Sequence, residues 1–280
     1  MTDQINWQRV REQAETWIRE AGKMIKDTIN SPINVETKSS PDDLVTNKDR
    51  EVEQFLIKKI RDQYPDHHIV SEEGFGDEVK ALSGVLWLLD PIDGTMNFVH
   101  QHRHFAISIG IYENGVGRVG LIYDVMADDL YHAVKGQGAF LNEHRMPKLN
   151  EGALETAVFG INATWINTNR RIDPEIMRPV VRKTRGTRSY GSAAIEIAYV
   201  ASGLMDAYFT MRLKPWDYGA GLVLLEEVGG IVSHADGSPL ELLAGGSVLV
   251  GKPGVHREIV EMIQEGLKSG KFLNEGPLKS

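Results

Sequence analysis

Nine consecutive residues, Trp87-Leu88-Leu89-Asp90-Pro91-Ile92-Asp93-Gly94-Thr95, constrain this chain more than any other stretch. The apolar run at 85–89 reads as a fully buried strand. It ends in two carboxylates separated by a rigid Pro91-Ile92 step, followed by Gly94 and a hydroxyl. A strand of this kind stops at the edge of a core, where charged groups can face a cleft. Two carboxylates, a free carbonyl and a hydroxyl on one tight turn make an oxygen-only cluster suited to a hard divalent cation. Plain turn chemistry is the competing explanation, because Pro followed by Asp-Gly is common in turns.

The remainder of the chain narrows the choice. At 280 residues there is room for one large domain or two small ones, and roughly 75% of the unfolded surface can be buried without covalent staples. The absence of cysteine removes disulfides, thiolate metal ligands and cysteine nucleophiles. A net charge of −8 argues against nucleic-acid binding through a global basic surface. Arg182, Lys183, Arg185 and Arg188 form a local basic cluster that reads as a solvated helix end. Asp3, Arg9, Arg11 and Glu12 interrupt any apolar leader, and no segment approaches the ~20 apolar residues of a membrane span. A soluble, cytoplasmic protein is therefore expected.

Trp7, Val10, Ala14, Trp17, Ile18, Ala21 and Ile25 recur at helical spacing and predict an amphipathic first helix, ended by Ser31-Pro32. Residues 37–43 are polar and turn-rich. Thr46 or Asn47 can cap a second helix that presents Val52, Phe55, Leu56 and Ile60 on one face and closes at Tyr64-Pro65. A short strand at 67–70 delivers Glu72-Glu73. Beyond Thr95, strands at 105–112, 116–125 and 130–134 predict a meander, with Glu113-Asn114-Gly115 as a hairpin signal. The second half alternates: strand 158–162, helix 174–184, helix 193–201 capped by Ser192, strand 206–211, helix 217–228 ending at Gly229-Gly230, strands 231–233 and 247–250, and a helix near 255–267. The tail from Gly270 is polar and expected to fray.

Each of three acidic motifs sits where an element ends. Glu72-Glu73 follows a short strand, Asp90 and Asp93 follow the buried one, and Asp217 opens a helix in Trp216-Asp217-Tyr218-Gly219-Ala220-Gly221. Taken singly, Glu72 reads as surface charge and Asp217 as an N-cap favoured by the helix dipole. Trp216 can wall a desolvated pocket, and the small residues after Tyr218 allow close approach of backbone or ligand. Gly191-Ser192-Ala193-Ala194 supplies a helix start whose amides can meet an anion.

Together these motifs resemble the signature of the inositol monophosphatase family, in the same order and at similar separations. The resemblance runs from the first helix to the last and includes Ser40-Pro41-Asp42-Asp43-Leu44-Val45-Thr46. It implies an α+β or α/β layered fold, an αβαβα sandwich, with residues 1–280 as a single domain of two sub-structures, about 1–150 and 151–280. It also implies Mg²⁺-dependent hydrolysis of a small phosphomonoester, in the first place inositol 1-phosphate. By residue match, Glu72, Asp90, the Ile92 carbonyl and Thr95 surround a first Mg²⁺; Asp90 bridges to a second, completed by Asp93 and Asp217. A third, weaker ion near Glu72 is implied as well. Glu72 and Thr95, with Asp49 behind Thr95, position and deprotonate water. Amides of Gly94 and Thr95 take phosphate oxygens, and Asp93, Gly191, Ser192, Ala193 and Asp217 face the alcohol. A homodimer and lithium sensitivity are further implications of the family.

One departure bears on substrate. Animal members place a glutamate on the strand before the Trp-Asp motif, where this chain has Thr210, followed by Met211 and Arg212. Lys214-Pro215 looks more like bacterial members. The alternatives within the superfamily are fructose 1,6-bisphosphate, NADP(H) and 3′-phosphoadenosine 5′-phosphate. An alternative of another class is a regulatory protein of an RNA or transcription complex. His100, His102 and His104 would share one face on a strand and could bind a transition metal. Gln101 and Arg103 make loop the stronger reading there, and His67-His68 reads as surface.

Overall fold

In the computed structural model, residues 5–31, 34–38 and 44–275 are described. Pro32 and Ser40 to Asp43, which the sequence placed in a helix stop and a polar motif, lie outside them, as does the end of the tail from 276. In chain order the elements begin with α1 (Trp7–Thr28), β1 (Val35–Thr37), β2 (Leu44–Thr46), α2 (Asn47–Gln63), β3 (His68–Ser71), β4 (Val85–Asp93) and α3 (Thr95–Gln101). The meander follows as β5 (Ala106–Glu113), β6 (Val116–Asp124), β7 (Asp129–Val134), β8 (Gly138–Leu141) and β9 (His144–Arg145). The second half supplies β10 (Val158–Ile161), α4 (Pro174–Lys183), β11 (Gly186–Arg188), α5 (Ala193–Ala201), β12 (Ala207–Leu213) and α6 (Pro215–Val228). It ends with β13 (Ile231–Ser233), β14 (Gly246–Gly251) and α7 (Pro253–Lys268). Strands β1, β2, β8, β9 and β11 have no counterpart in the sequence reading; each is short, with too few residues to show an alternation.

Two compact units emerge. The first comprises Met1–Arg145, Gly191–Ile195 and Trp216–Glu227, and the second the rest. The sheet of the first unit has the order β3-β4-β5-β6-β7-β8-β9, parallel at β3-β4 and antiparallel elsewhere. Strand alternation sorts its two faces. Trp87, Leu89, Ile107, Ile109, Val119 and Leu121 face one way and join the apolar stripes of α1 and α2 in one core. The Trp17 and Trp87 rings lie 6.1 Å apart there. His67 belongs to the same cluster and is not the surface residue expected. It stacks on Tyr64 at 4.7 Å and accepts a hydrogen bond from Trp87 Nε1 at 3.0 Å.

The opposite face carries glycine where side chains would stand. A Cβ on Gly110 would lie 2.7 Å from the Gly219 carbonyl carbon, and one on Gly120 2.4 Å from the Ala220 oxygen. Helix α6 therefore rests on the sheet backbone to backbone, and the small residues after Tyr218 serve this contact. The Tyr112 hydroxyl donates to the Gly219 carbonyl at 2.6 Å, and the Ser108 hydroxyl to that of Trp216 at 3.3 Å. The first turn of α6 is fixed to the sheet centre by these bonds.

Strand β4 departs from expectation. It does not stop at Leu89 but stays extended through Asp93, with a register shift against β5 between Asp90 and Asp93. Asp90 pairs with Ser108 and Asp93 with Ala106, so three steps on β4 match two on β5. That is a bulge rather than a tight turn. The β5-β6 hairpin turns at Asn114 (φ 51°) and Gly115 (φ 79°), as its signal predicts.

The second unit is built on a five-stranded mixed sheet, β11-β10-β12-β14-β13. Ile176, Met177 and Val180 of α4 and Ile259 and Ile263 of α7 pack on Phe159, Phe209 and Leu249. Gly229 at φ 79° ends α6 as the sequence suggests. The tail is not frayed through Glu275: Asn274 N–H donates to Arg171 O at 2.7 Å and Ser247 N–H to Glu275 at 3.0 Å.

His256, buried in this unit, contacts the Ser233 hydroxyl at 2.8 Å, and that hydroxyl donates to the His234 carbonyl. Burial pushes the imidazole down from 6.5 to about 4. The folded chain thus binds this proton less well than the unfolded chain. Its contribution to stability is full above pH 6.5 and is lost as pH falls toward 4, on the order of 2–3 kcal/mol. Urea unfolding at pH 7, 5.5 and 4 should show this loss in the wild type and a flatter profile in His256→Gln; parallel profiles would contradict it.

Candidate active site

Three carboxylates from distant parts of the sequence meet in the first unit. Oxygens of Asp90, Asp93 and Asp217 all lie within 4.8 Å of one another. Residues three apart on a regular strand point to opposite faces, so the extra residue in β4 is what brings Asp90 and Asp93 to one side. Asp217 stands in the first turn of α6, which begins at Pro215; it is therefore not the N-cap that the sequence allowed. The backbone seam under α6 sets its height above the sheet.

The groups around this triad are tied down. The Asp90 carboxylate accepts from Ile92 N–H at 3.1 Å. The Thr95 hydroxyl faces two acceptors, the Ile92 carbonyl at 3.1 Å and Asp49 at 3.2 Å. Asp49, fully buried on α2, accepts from Thr46 N–H at 2.8 Å and its hydroxyl at 2.5 Å, closing a capping box. Gly94, at φ 92°, lets the chain enter α3 where a Cβ would press on Gly191 O and His104 O at 3.2 Å. Asp93 accepts from the Ser192 hydroxyl and from Ala194 N–H at 2.8 Å. The helix start at Gly191-Ser192-Ala193-Ala194 thus does meet an anion, and that anion is the protein's own carboxylate.

Like charges crowd here. Burial first, then the charges of Glu72, Asp93 and Asp217, hold the Asp90 carboxyl well above the usual carboxylate range. Burial pushes Asp93 up to about 6, against the hydrogen bonds from Ser192, Ala194 and Ala193. Burial likewise raises Glu72 to about 7, with Lys38 opposing and Glu73 reinforcing. Lys38 bonds Glu72 at 3.1 Å and Glu73 at 2.5 Å. The sequence reading missed Lys38, because a single lysine in a polar, turn-rich stretch carries no periodic or motif signal.

An oxygen-only donor set, buried and short of positive charge, fits Mg²⁺ and not a soft or nitrogen-preferring ion. The histidines do not form a rival centre. His100 lies in α3, and His102 (φ 54°) and His104 (φ 56°) are left-handed, so the alternating face of a strand is absent there. Arg182, Lys183, Arg185 and Arg188 are exposed, as a solvated surface requires.

The profile of the Inositol monophosphatase family matches residues 6–268. The inositol-1-monophosphatase of Bacillus subtilis strain 168 is 55% identical over 256 residues, covering 91% of this chain and 97% of that one. The fold superposes with a TM-score of 0.84 on the inositol monophosphate-bound crystal structure of SaIMPase-II. That protein is 40% identical, with 93% of this chain and 96% of that one covered. An IMPase/NADP phosphatase complexed with Mg²⁺ and phosphate also gives 0.84, at 25% identity over 92% and 96% of the two chains. With helices layered on mixed sheets and the acidic motifs in family order, the chain belongs to the inositol monophosphatase family and is a metal-dependent phosphoric monoester hydrolase.

Proposed function

We propose that the chain hydrolyses inositol 1-phosphate, or a closely similar polyol phosphate, with Mg²⁺ held by the acidic cluster. The observation that carries this reading is the convergence of Asp90, Asp93 and Asp217 within 4.8 Å on one side of the sheet. Glu72, Asp90, the Ile92 carbonyl and Thr95 would hold one ion, and Asp90, Asp93 and Asp217 a second, with a third near Glu72. Bound there, Mg²⁺ supplies charge for the phosphate dianion and lowers the pKa of water. The Thr95 hydroxyl donates toward Asp49, which leaves its lone pairs free to accept from the attacking water. Glu72 takes the water proton. Water oxygen bonds to phosphorus as the ester P–O bond breaks in line, and the departing alkoxide oxygen takes a proton from a second water to leave as the alcohol, so the chain contributes mostly positioning and electrostatics. Amides of Gly94 and Thr95 receive phosphate oxygens. Asp93, Gly191, Ser192, Ala193 and Asp217 orient the alcohol.

Relatives named for inositol monophosphate hydrolysis or binding favour this substrate over the bisphosphate and nucleotide alternatives. The complete acidic set disfavours a purely regulatory role. Thr210, buried on β12, is shorter and uncharged beside the glutamate of animal members, which fits looser polyol recognition. A family match that runs unbroken across both units supports residues 1–280 acting as a single domain. Location in the cytoplasm belongs to the same reading; among the described residues no helix is long and apolar enough to cross a membrane.

The test is phosphate release from inositol 1-phosphate, fructose 1,6-bisphosphate, NADP and 3′-phosphoadenosine 5′-phosphate, with and without Mg²⁺. Mg²⁺-dependent turnover should favour inositol 1-phosphate, and Asp93→Asn should cut kcat by about two orders of magnitude. Near wild-type turnover in that variant would remove Asp93 from the mechanism, and preference for another substrate would move the chain within its superfamily. A homodimer is also part of this proposal, so scattering at micromolar concentration should return twice the chain mass of 31.2 kDa. A monomer mass would contradict the dimer and leave the chemistry untouched.

A further inference from the structure

Asp49 and Glu53 stand one turn apart on α2, and both are fully buried. Asp49 serves Thr46 and Thr95; Glu53 serves a different segment. One Glu53 oxygen accepts from the Ser71 hydroxyl at 2.6 Å and from Phe75 N–H at 3.0 Å, and the other from Glu73 N–H at 2.8 Å. The Ser71 hydroxyl in turn accepts from Gly76 N–H at 3.1 Å. A single carboxylate therefore gathers residues 71–76, the turn that carries Glu72.

The other ties on that turn are the Lys38 side chain on Glu72 and Glu73 and a few backbone bonds. The chain leaves β3, passes Gly74 at φ 81° and doubles back until Asp77 meets the backbone of Ile69. Phe75, its large apolar side chain, is 40% exposed, so burial of that ring does not anchor the segment. The Glu72 backbone N–H reaches Leu89 O in a long bond at 3.3 Å, and its carboxylate takes the Lys38 ammonium at 3.1 Å. Its side chain meanwhile faces like charge from Asp90 and Glu73. Lys38 offsets part of that field from a flexible side chain, whereas the backbone on both sides of Glu72 is held by Glu53, through Ser71 and Glu73. Charge-assisted hydrogen bonds to a buried carboxylate are strong enough for this task.

We infer that Glu53 is a positioning residue, whose carboxylate fixes the 71–76 turn and so sets Glu72 against Asp90 for cation binding. The inference rests on the reading of Glu72 as a ligand. It separates α2 into two duties: Asp49 orients the Thr95 hydroxyl, and Glu53 orients the Glu72 backbone. Groups that orient metal ligands through hydrogen bonds commonly change metal affinity by about 10–100-fold when altered.

Glu53→Gln keeps the side-chain size but sets an amide donor against either the Glu73 N–H or the Ser71 hydroxyl. Calorimetry with Mg²⁺ alone on the full chain should show affinity reduced about tenfold. The half-activating Mg²⁺ concentration should rise in step, while KM at saturating Mg²⁺ changes less than about threefold. Ser71→Ala removes one donor, should shift affinity the same way by about two- to threefold, and decides the matter if Glu53→Gln does not fold. Ile57→Val, a core change on the same helix, should lower Tm without moving Mg²⁺ affinity. Glu72→Gln is the reference. If it binds Mg²⁺ like the wild type, the reading of Glu72 fails and this inference falls with it. If it binds weakly while Glu53→Gln and Ser71→Ala bind normally, Glu72 keeps its role and Glu53 loses the one inferred for it.

Discussion

Repulsion among buried carboxylates is the interaction on which the rest of this structure turns. Asp90 and Asp93 sit beneath the surface with Asp217 and Glu72 beside them, and burial and mutual charge both oppose ionisation. Such an arrangement costs stability in a chain without a cation and repays it when a divalent ion enters. A fold that tolerates this needs rigid surroundings, because flexible carboxylates would part.

Rigidity comes from backbone contacts more than from side-chain packing. The glycines at 110 and 120 let α6 lie on the sheet without an intervening layer, and Tyr112 bonds its carbonyl from below. The bulge in β4 turns Asp93 to the side of Asp90, and the start of α5 receives Asp93 with a hydroxyl and an amide. Every carboxylate of the triad is thus borne on an element whose position is fixed independently. Lys38 offers Glu72 and Glu73 a partial counter-charge from the chain itself.

Much of this was legible in the sequence, for reasons that can be named. Helix α1 has a clean apolar period, β4 an uninterrupted apolar run, and the hairpin at Asn114-Gly115 a turn that demands positive φ. The acidic motifs were found because several unusual residues occur within a few positions. What escaped depends on three-dimensional pairing. The bulge exists only in register against β5, which no local pattern encodes, so the motif read as a tight turn. Asp217 reads as an N-cap from sequence because the helix starts two residues earlier, at Pro215, a position that carries no cap side chain. His67 read as surface because its partners, Tyr64 and Trp87, lie on a helix end and another strand. The tail read as frayed since the bonds to Arg171 and Ser247 join it to residues far upstream.

The most direct measurement of the central claim is thermal unfolding of the wild type and Asp90→Asn, each in chelator and in millimolar Mg²⁺. If crowded carboxylates await a cation, Mg²⁺ raises the wild-type Tm by several degrees, on the order set by ligand linkage. Asp90→Asn should then melt higher than the wild type in chelator and gain little from Mg²⁺. A variant less stable than the wild type without the ion, or one stabilised by Mg²⁺ as much as the wild type, would contradict the account.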